Sequence, residues 1–420
     1  MKRGFYTIMA AQFFSSLADN ALLIVAIFLL AQMQAPGWMT PMLKLFFVLS
    51  YVLLAAFVGA FADSWPKGKV MFITNMIKIA GCSLVFFGVH PLLAYSVVGF
   101  GAAAYSPAKY GILTELLPPE KLVLANGWIE GLTVASIVLG TVLGGALINL
   151  HVSSILLQFD FPFIDTFVDT VWESALSVTI ISYVLAAIFN LHIPDTGVRY
   201  RKQGTNPIKL VVEFSHSFMT LWRDKLGQIS LAVTTLFWGA GAVLQFIVLK
   251  WAEKKLHLPL DKAAFLQGVV AIGIAIGAVA AARFVKLNKS LSVMPVGVAM
   301  GLFVMTLTMV DSLWFAYPLL ILVGGLAGFF VVPMNALLQH RGHVLLSAGH
   351  SIAVQNFNEN LSVLTMLVVY ALMISLNLDI STVIVLFGLF VAGTMFMVMR
   401  WHAANQRVKD SMALIGQEKH

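Results

Sequence analysis

Residues 12–30 read QFFSSLADNALLIVAIFLL. With the apolar residues around it, this run is long enough for a helix that crosses a bilayer, which takes about 20 predominantly apolar residues. Asp19 sits inside it. A carboxylate at that depth costs several kcal/mol, so such groups face a bundle interior or a wet cavity and pair with other polar groups. The neighbours agree with an inward face. Gln12, Ser15, Ser16 and Asp19 follow the i, i+3, i+4, i+7 spacing of one helical stripe.

The rest of the chain keeps the same solvent. Of 420 residues, 60% are hydrophobic and 11% charged, against roughly 25% charged in soluble domains. No soluble core absorbs so much apolar surface, and the length-to-domain rule for soluble chains does not apply. The single cysteine, Cys82, excludes a disulfide framework. The segment after Lys2 and Arg3 runs on without a small-residue cleavage site, so it reads as a first membrane helix rather than a cleaved leader. Twelve spans are expected, centred near residues 19, 52, 80, 103, 136, 182, 239, 273, 300, 327, 361 and 390. Between them fall loop signals such as DSWPKGK, LPPEK, KLNKS and QHRGH.

Lys and Arg in the loops set the orientation. One side collects nineteen: Lys2, Arg3, Lys67, Lys69, Lys121, six between 199 and 225, three between 283 and 289, Arg341, and four from Arg400 onward. The other side has only Lys254, Lys255 and Lys262. Both termini are therefore expected in the cytoplasm. The net charge of +7 is a topology signal, with some affinity for anionic lipids, and no compact basic domain supports nucleic-acid binding.

A polar stretch at 193–226 divides the spans six and six, giving expected bundles at 1–192 and 227–400 and a cytoplasmic tail at 401–420. The halves resemble each other. Pro107 and Pro333 each follow a Gly/Ala-rich run and lie 333 − 107 = 226 residues apart. Weak repetition in a 6+6 architecture is the mark of the major facilitator fold: an all-α membrane protein with two six-helix halves around a central cavity. The loop GAFADSWPKGKVM resembles that superfamily's Gly…Asp…Gly-Lys signature.

Five ionisable residues fall at membrane depth: Asp19, Lys78, Lys109, Glu130 and Glu359. Lys44, Lys250 and Arg283 lie near span ends, where they reach the interface. The eleventh span carries Ser351, Gln355, Glu359 and Ser362 at helical spacing, with Asn356, Asn358 and Asn360 in QNFNEN. The seventh offers Thr234, Trp238, Gly241 and Gln245. Uncharged members of these stripes also serve as interhelical glue, worth about 1 kcal/mol each. Glue does not need an ionised group, so the charges point to a cavity for a zwitterion or to gate residues that exchange partners. An acidic segment, 151–173, with Asp160, Asp165, Asp169 and Glu173, reads either as an amphipathic surface helix over 162–173 or as an ordered loop. No GxxxxGK[ST] loop, His-x₄-Asp pair or metal-ligand spacing is present, so neither ATP hydrolysis, an acyltransferase, a metal nor a cofactor is expected.

The stretches DNALL (19–23), GAAAYSPAKYGIL (101–113), LFWGAGAVL (236–244), GFFVVPMNALLQ (328–339) and AVQNFNEN (353–360) resemble the lysophospholipid transporter family (LplT) of the major facilitator superfamily. The resemblance implies a bacterial inner-membrane flippase. Such a protein moves lysophosphatidylethanolamine and lysophosphatidylglycerol from the outer to the inner leaflet, where a separate acyltransferase/acyl-carrier-protein synthetase re-acylates them. It places the family's headgroup and gate positions on Asp19, Lys109 and Glu359, with Lys109 expected at the phosphate and Asp19 or Glu359 at the ammonium. A fourth position, arginine in the family, is Gln245 here, so either Lys109 or Lys78 is expected to carry more of the load or the substrate preference is expected to differ. Candidate binding and gating residues are thus Asp19, Asn20, Lys78, Lys109, Glu130, Trp238, Gln245, Gln355, Asn356 and Glu359, in an expected monomer. The competing reading is a proton-driven exporter of a small solute or drug, with Asp19, Glu130 and Glu359 as proton carriers.

Overall fold

The computed structural model describes residues 3–36, 39–157, 169–200, 206–258, 260–408 and 411–416, and every regular element among them is helical. The first half of the chain holds α1 (Arg3–Gln32), α2 (Met39–Leu53), α3 (Ala55–Ser64), α4 (Lys67–Ser83), α5 (Pro91–Leu116), α6 (Leu122–Leu147), α7 (Leu150–Leu157) and α8 (Val171–Leu191). Then come α9 (Pro207–Arg223), α10 (Gly227–Lys255), α11 (Leu260–Phe284), α12 (Met294–Met305), α13 (Leu313–Leu345), α14 (Ala348–Ser375) and α15 (Ile380–Val408). Each of the twelve expected span centres lies in one of these helices.

Among the described residues ten helices are long and apolar enough to cross a bilayer, and eleven if α2 and α3, bent by 67° at their junction, form one span. The chain is a multi-pass membrane protein. At 26 residues α5 is about 39 Å long, enough to cross, but its tyrosines, serines, prolines and Lys109 leave it less apolar than the others.

Two compact units form. The first contains Met1–Ile112 and Ala135–Leu210; the second contains Leu113–Val134 and Val211–His420. In the first, α1 and α4 both pack on α8, around a core that includes Leu22, Val25, Leu43, Cys82, Tyr95 and Tyr183. Small residues allow the close approaches that membrane helices rely on where no hydrophobic drive exists. A methyl group at Gly140 of α6 would lie 2.5 Å from the Leu17 carbonyl of α1. In the second unit α11 and α13 pack most extensively. Gly273 and Gly277 face Gly325, while Gly324 and Gly328 lie against the Val270 and Ile274 carbonyls, and a side chain at Gly277 would run into the Gly325 carbonyl. The core there includes Val243, Leu266, Leu320 and Phe387, with Trp251 donating its indole N–H to the Leu307 carbonyl at 2.8 Å.

Two polar connections are ordered. In the signature loop, Lys67 Nζ donates to Asp63 Oδ1 at 2.6 Å and to the Ala62 carbonyl at 2.8 Å, with both side chains enclosed. In the acidic segment, residues 158–168 lie outside the described part of the chain. The flanking residues form α7 and the start of α8. Glu173 serves there as the reciprocal partner of Thr170 in a capping box that satisfies the helix's first N–H groups. Within the stretch 193–226, α9 docks Phe214, Phe218 and Trp222 against Leu231, Leu338 and Val354. Before it, Arg199 holds the exposed Asp195 carboxyl down at about 2, chiefly through its side-chain hydrogen bonds, with help from the Gly197 N–H.

Candidate functional site

The junction of α1, α4 and α8 holds the first cluster. Lys78 Nζ lies 2.8 Å from Asp19 Oδ2, and the Tyr183 hydroxyl donates to Asp19 Oδ1 at 2.7 Å. Lys78 also donates to Ser15 Oγ at 3.0 Å, and Ser15 donates to Asn75 Oδ1 at 2.8 Å. The rings of Tyr105 and Tyr183 lie 5.1 and 5.7 Å from the ammonium, within cation–π range. Backbone geometry makes this possible. A methyl at Gly101 of α5 would meet Lys78 Cγ at 2.8 Å, so glycine there lets α5 close over α4 and lays Tyr105 against the lysine. Each oxygen of Asp19 thus has its own donor, and the ion pair is neutral as a unit. That is how a bilayer-depth carboxylate is retained.

The second unit holds a polar ladder. Asn126 on α6 and Gln339 on α13 exchange reciprocal amide bonds, both 2.9 Å. One turn along, Asn335 Nδ2 donates to Glu130 Oε1 at 3.3 Å. Gln355 Nε2 then donates to Asn335 Oδ1 at 3.1 Å and to Glu359 Oε1 at 2.7 Å. Two buried carboxylates, Glu130 and Glu359, are therefore joined through two amides.

These contacts sort the expected residues. Asp19 and Lys78 are brought together, so of the two lysines expected to compensate for Gln245, Lys78 is the one on Asp19. Glu130, Gln355 and Glu359 share one network. Lys109 is buried, with its ammonium 4.1 Å from the Tyr110 ring centroid. Asn20 turns back to the Ser16 carbonyl at 2.8 Å, a bond within α1 that joins no second helix. Gln245 accepts at its backbone carbonyl from Gln267 Nε2 at 2.5 Å. Asn356 is buried, and its carbonyl accepts from Asn360 Nδ2 at 2.8 Å. Trp238 meets Phe237 edge to face at 5.6 Å, and its indole N–H has no hydrogen-bond partner among the described residues. Asn75, Tyr105, Asn126, Tyr183, Asn335 and Gln339 were not singled out from the sequence. Spacing carried a signal for some of them: Asn126 with Glu130, and Asn335 with Gln339, repeat at i, i+4.

Long apolar helices that bury paired charges and amide networks in this way define a polytopic membrane protein of transporter architecture. The family profile described as Major Facilitator Superfamily matches residues 8–361. Among solved structures, a bacterial homologue of the iron transporter ferroportin in an outward-facing state superposes with a TM-score of 0.69 at 16% identity, covering 96% of this chain and 100% of that one. The transporter FucP in its outward conformation gives 0.70 at 13% identity, covering 95% and 98%. At those identities the likeness concerns the fold alone. Sequence relatives go further. The lysophospholipid transporter LplT of Yersinia enterocolitica is 42% identical over 382 residues, 90% of this chain and 89% of that protein. LplT of Yersinia pestis strain Pestoides F is 42% identical over 385 residues, covering 91% and 90%. The chain belongs to the LplT family of the major facilitator superfamily.

Proposed function

We propose that this chain is a lysophospholipid flippase. It moves lysophosphatidylethanolamine and lysophosphatidylglycerol from the outer to the inner leaflet of a bacterial inner membrane by alternating access. It works as a monomeric transporter, not an enzyme, with both termini cytoplasmic and twelve spans in two six-helix halves. A separate acyltransferase consumes its product. The observation that carries the reading is the Asp19–Lys78 ion pair at bilayer depth in a chain of this family. Structural stability does not require an ion pair there, because a well-packed apolar pair is as stable or more so.

The chemistry suits the substrate. Each CH₂ of the single acyl chain gains about 0.8 kcal/mol in apolar surroundings, so the tail stays with lipid or an apolar groove while the protein answers the headgroup. Lys78 and Lys109 are the deep cations for a phosphate, and Asp19, Glu130 and Glu359 are the deep anions for an ammonium.

The test is purified protein in liposomes with a labelled lysolipid in one leaflet, run with and without ion gradients. Lysolipid should cross at protein-dependent rates, and soluble solutes should not compete. A protein that leaves lysolipid in place yet drives proton-linked export of a solute would refute the reading.

A further inference from the structure

Lys78 sits among hydrogen-bond donors. Its ammonium finds Asp19 Oδ2 and Ser15 Oγ, the Tyr183 hydroxyl finds Asp19 Oδ1, and the Ser15 hydroxyl finds Asn75 Oδ1. Two donors remain unused among the described residues: Asn75 Nδ2 and the Tyr105 hydroxyl make no hydrogen bond. Both residues are enclosed, Asn75 fully and Tyr105 to within 4%. Buried donors of this kind are rare in folded proteins, because each has lost water and gained nothing. Tyr105 faces the ion pair directly, and Asn75 reaches it through Ser15. Asn75 lies one turn before Lys78 on α4 and is bonded to the same Ser15, and Tyr105 presents its ring to the ammonium.

We infer that Lys78, Asn75 and Tyr105 form a phosphate subsite, which takes the phosphodiester of the lysolipid headgroup when Asp19 gives up Lys78. The inference rests on the flippase reading and names the cation that meets the phosphate. What Asn75 Nδ2 and the Tyr105 hydroxyl lack is an acceptor, because the two Asp19 oxygens already serve Lys78 and Tyr183. A phosphodiester supplies two non-bridging oxygens and one charge, enough for an ammonium, an amide N–H and a phenol hydroxyl together. Asp19 is the open member of the pair, 17% exposed at its side chain against 2% for Lys78, so the lysine is reached past the carboxylate. The Tyr183 hydroxyl holds the displaced carboxylate on its other oxygen. A zwitterionic headgroup then restores neutrality, its phosphate on Lys78 and its ammonium on Asp19. Charge stays balanced before and after the exchange.

Tyr105→Phe tests the inference. The hydroxyl makes no hydrogen bond among the described residues, so a purely structural role predicts an unchanged or raised unfolding midpoint and unchanged transport. A ligand role predicts the same midpoint with a KM for lysophosphatidylethanolamine raised about tenfold, equal to about 1.4 kcal/mol, and kcat retained. In a second arm, glycerophosphoethanolamine and inorganic phosphate compete with labelled lysolipid. Competition by the headgroup and not by phosphate, weakened in Tyr105→Phe, is the expected result. Equal competition by inorganic phosphate would reassign the pocket to a free anion and overturn the lipid subsite. A variant with wild-type KM, in a protein that moves lysolipid normally, removes the subsite and leaves the flippase reading standing. A wild-type protein that moves no lysolipid removes the reading itself.

Discussion

Replacing Asp19 by leucine should destabilise the protein more than replacing Lys78 by methionine, although both changes break the same 2.8 Å pair. At that separation and an effective dielectric constant near 20, the attraction is about 6 kcal/mol, largely offset by the cost of desolvating two ions. The net effect therefore depends on what each variant leaves behind. Asp19→Leu strands an ammonium whose side chain is 2% exposed. Its remaining contacts are Ser15 Oγ at 3.0 Å and the faces of Tyr105 and Tyr183 at 5.1 and 5.7 Å. Uncompensated buried charges of this kind cost about 3–5 kcal/mol. Lys78→Met leaves a carboxylate that is 17% exposed and keeps the Tyr183 hydroxyl at 2.7 Å, so its loss should be nearer 1–3 kcal/mol, roughly one hydrogen bond to a charged group. The double variant buries no charge and should be more stable than Asp19→Leu by about 2 kcal/mol. Equilibrium unfolding in mixed micelles, arranged as a double-mutant cycle, measures all four states. Additive losses, or a Lys78→Met variant as unstable as Asp19→Leu, would refute the assignment of Lys78 as the buried, dependent partner.

Three further outcomes follow from other contacts. Asn126→Leu should cost about 1–3 kcal/mol, because it strands the buried Gln339 amide, and Asn126→Leu with Gln339→Leu should recover part of the loss in the same unfolding assay. Gly277→Val would drive a side chain into the Gly325 carbonyl and separate α11 from α13; a loss of about 3 kcal/mol or more is expected, read as a lowered melting temperature, and an unchanged one would deny the close packing. Arg199→Gln should raise the Asp195 carboxyl from about 2 toward 3.8. Because the folded value is depressed, the pair's contribution is present above the usual carboxylate range and fades as pH falls through about 2. A carbon-13 titration of Asp195 that is identical in both proteins would exclude the pairing.

Much of the fold is legible from local pattern. All twelve expected centres fall in helices, since hydropathy sums over neighbouring residues and a helix satisfies its own backbone wherever its partners lie. The bend between α2 and α3 and the capping role of Glu173 were not expected. The sequence places Glu173 among four acids of a segment open to a surface helix or an ordered loop, yet its carboxylate is spent on the N–H groups of Asp169 and Thr170, just before α8. The candidate site was legible in its members and not in its pairings. Asp19 and Lys78 were both singled out as too deep to be accidental, but nothing in either span says that they meet. Tyr183 looks in sequence like any tyrosine of an apolar helix, and Asn75 like interhelical glue.

By itself, then, the sequence determined that this chain lives in a bilayer, where its helices run, and which ionisable groups lie too deep to go unpartnered. Those follow from transfer energies that act residue by residue. Only the tertiary structure decided the partners: Lys78, 59 residues from Asp19, and Tyr183, 164 residues away. It likewise joined Glu130 to Glu359 through Asn335 and Gln355. Such contacts depend on how closely helices pass, and glycines such as Gly101 and Gly140 set that distance by what they lack. Hydropathy cannot register a missing side chain as a contact, and so the identity of Asp19's partner waited for the packed helices.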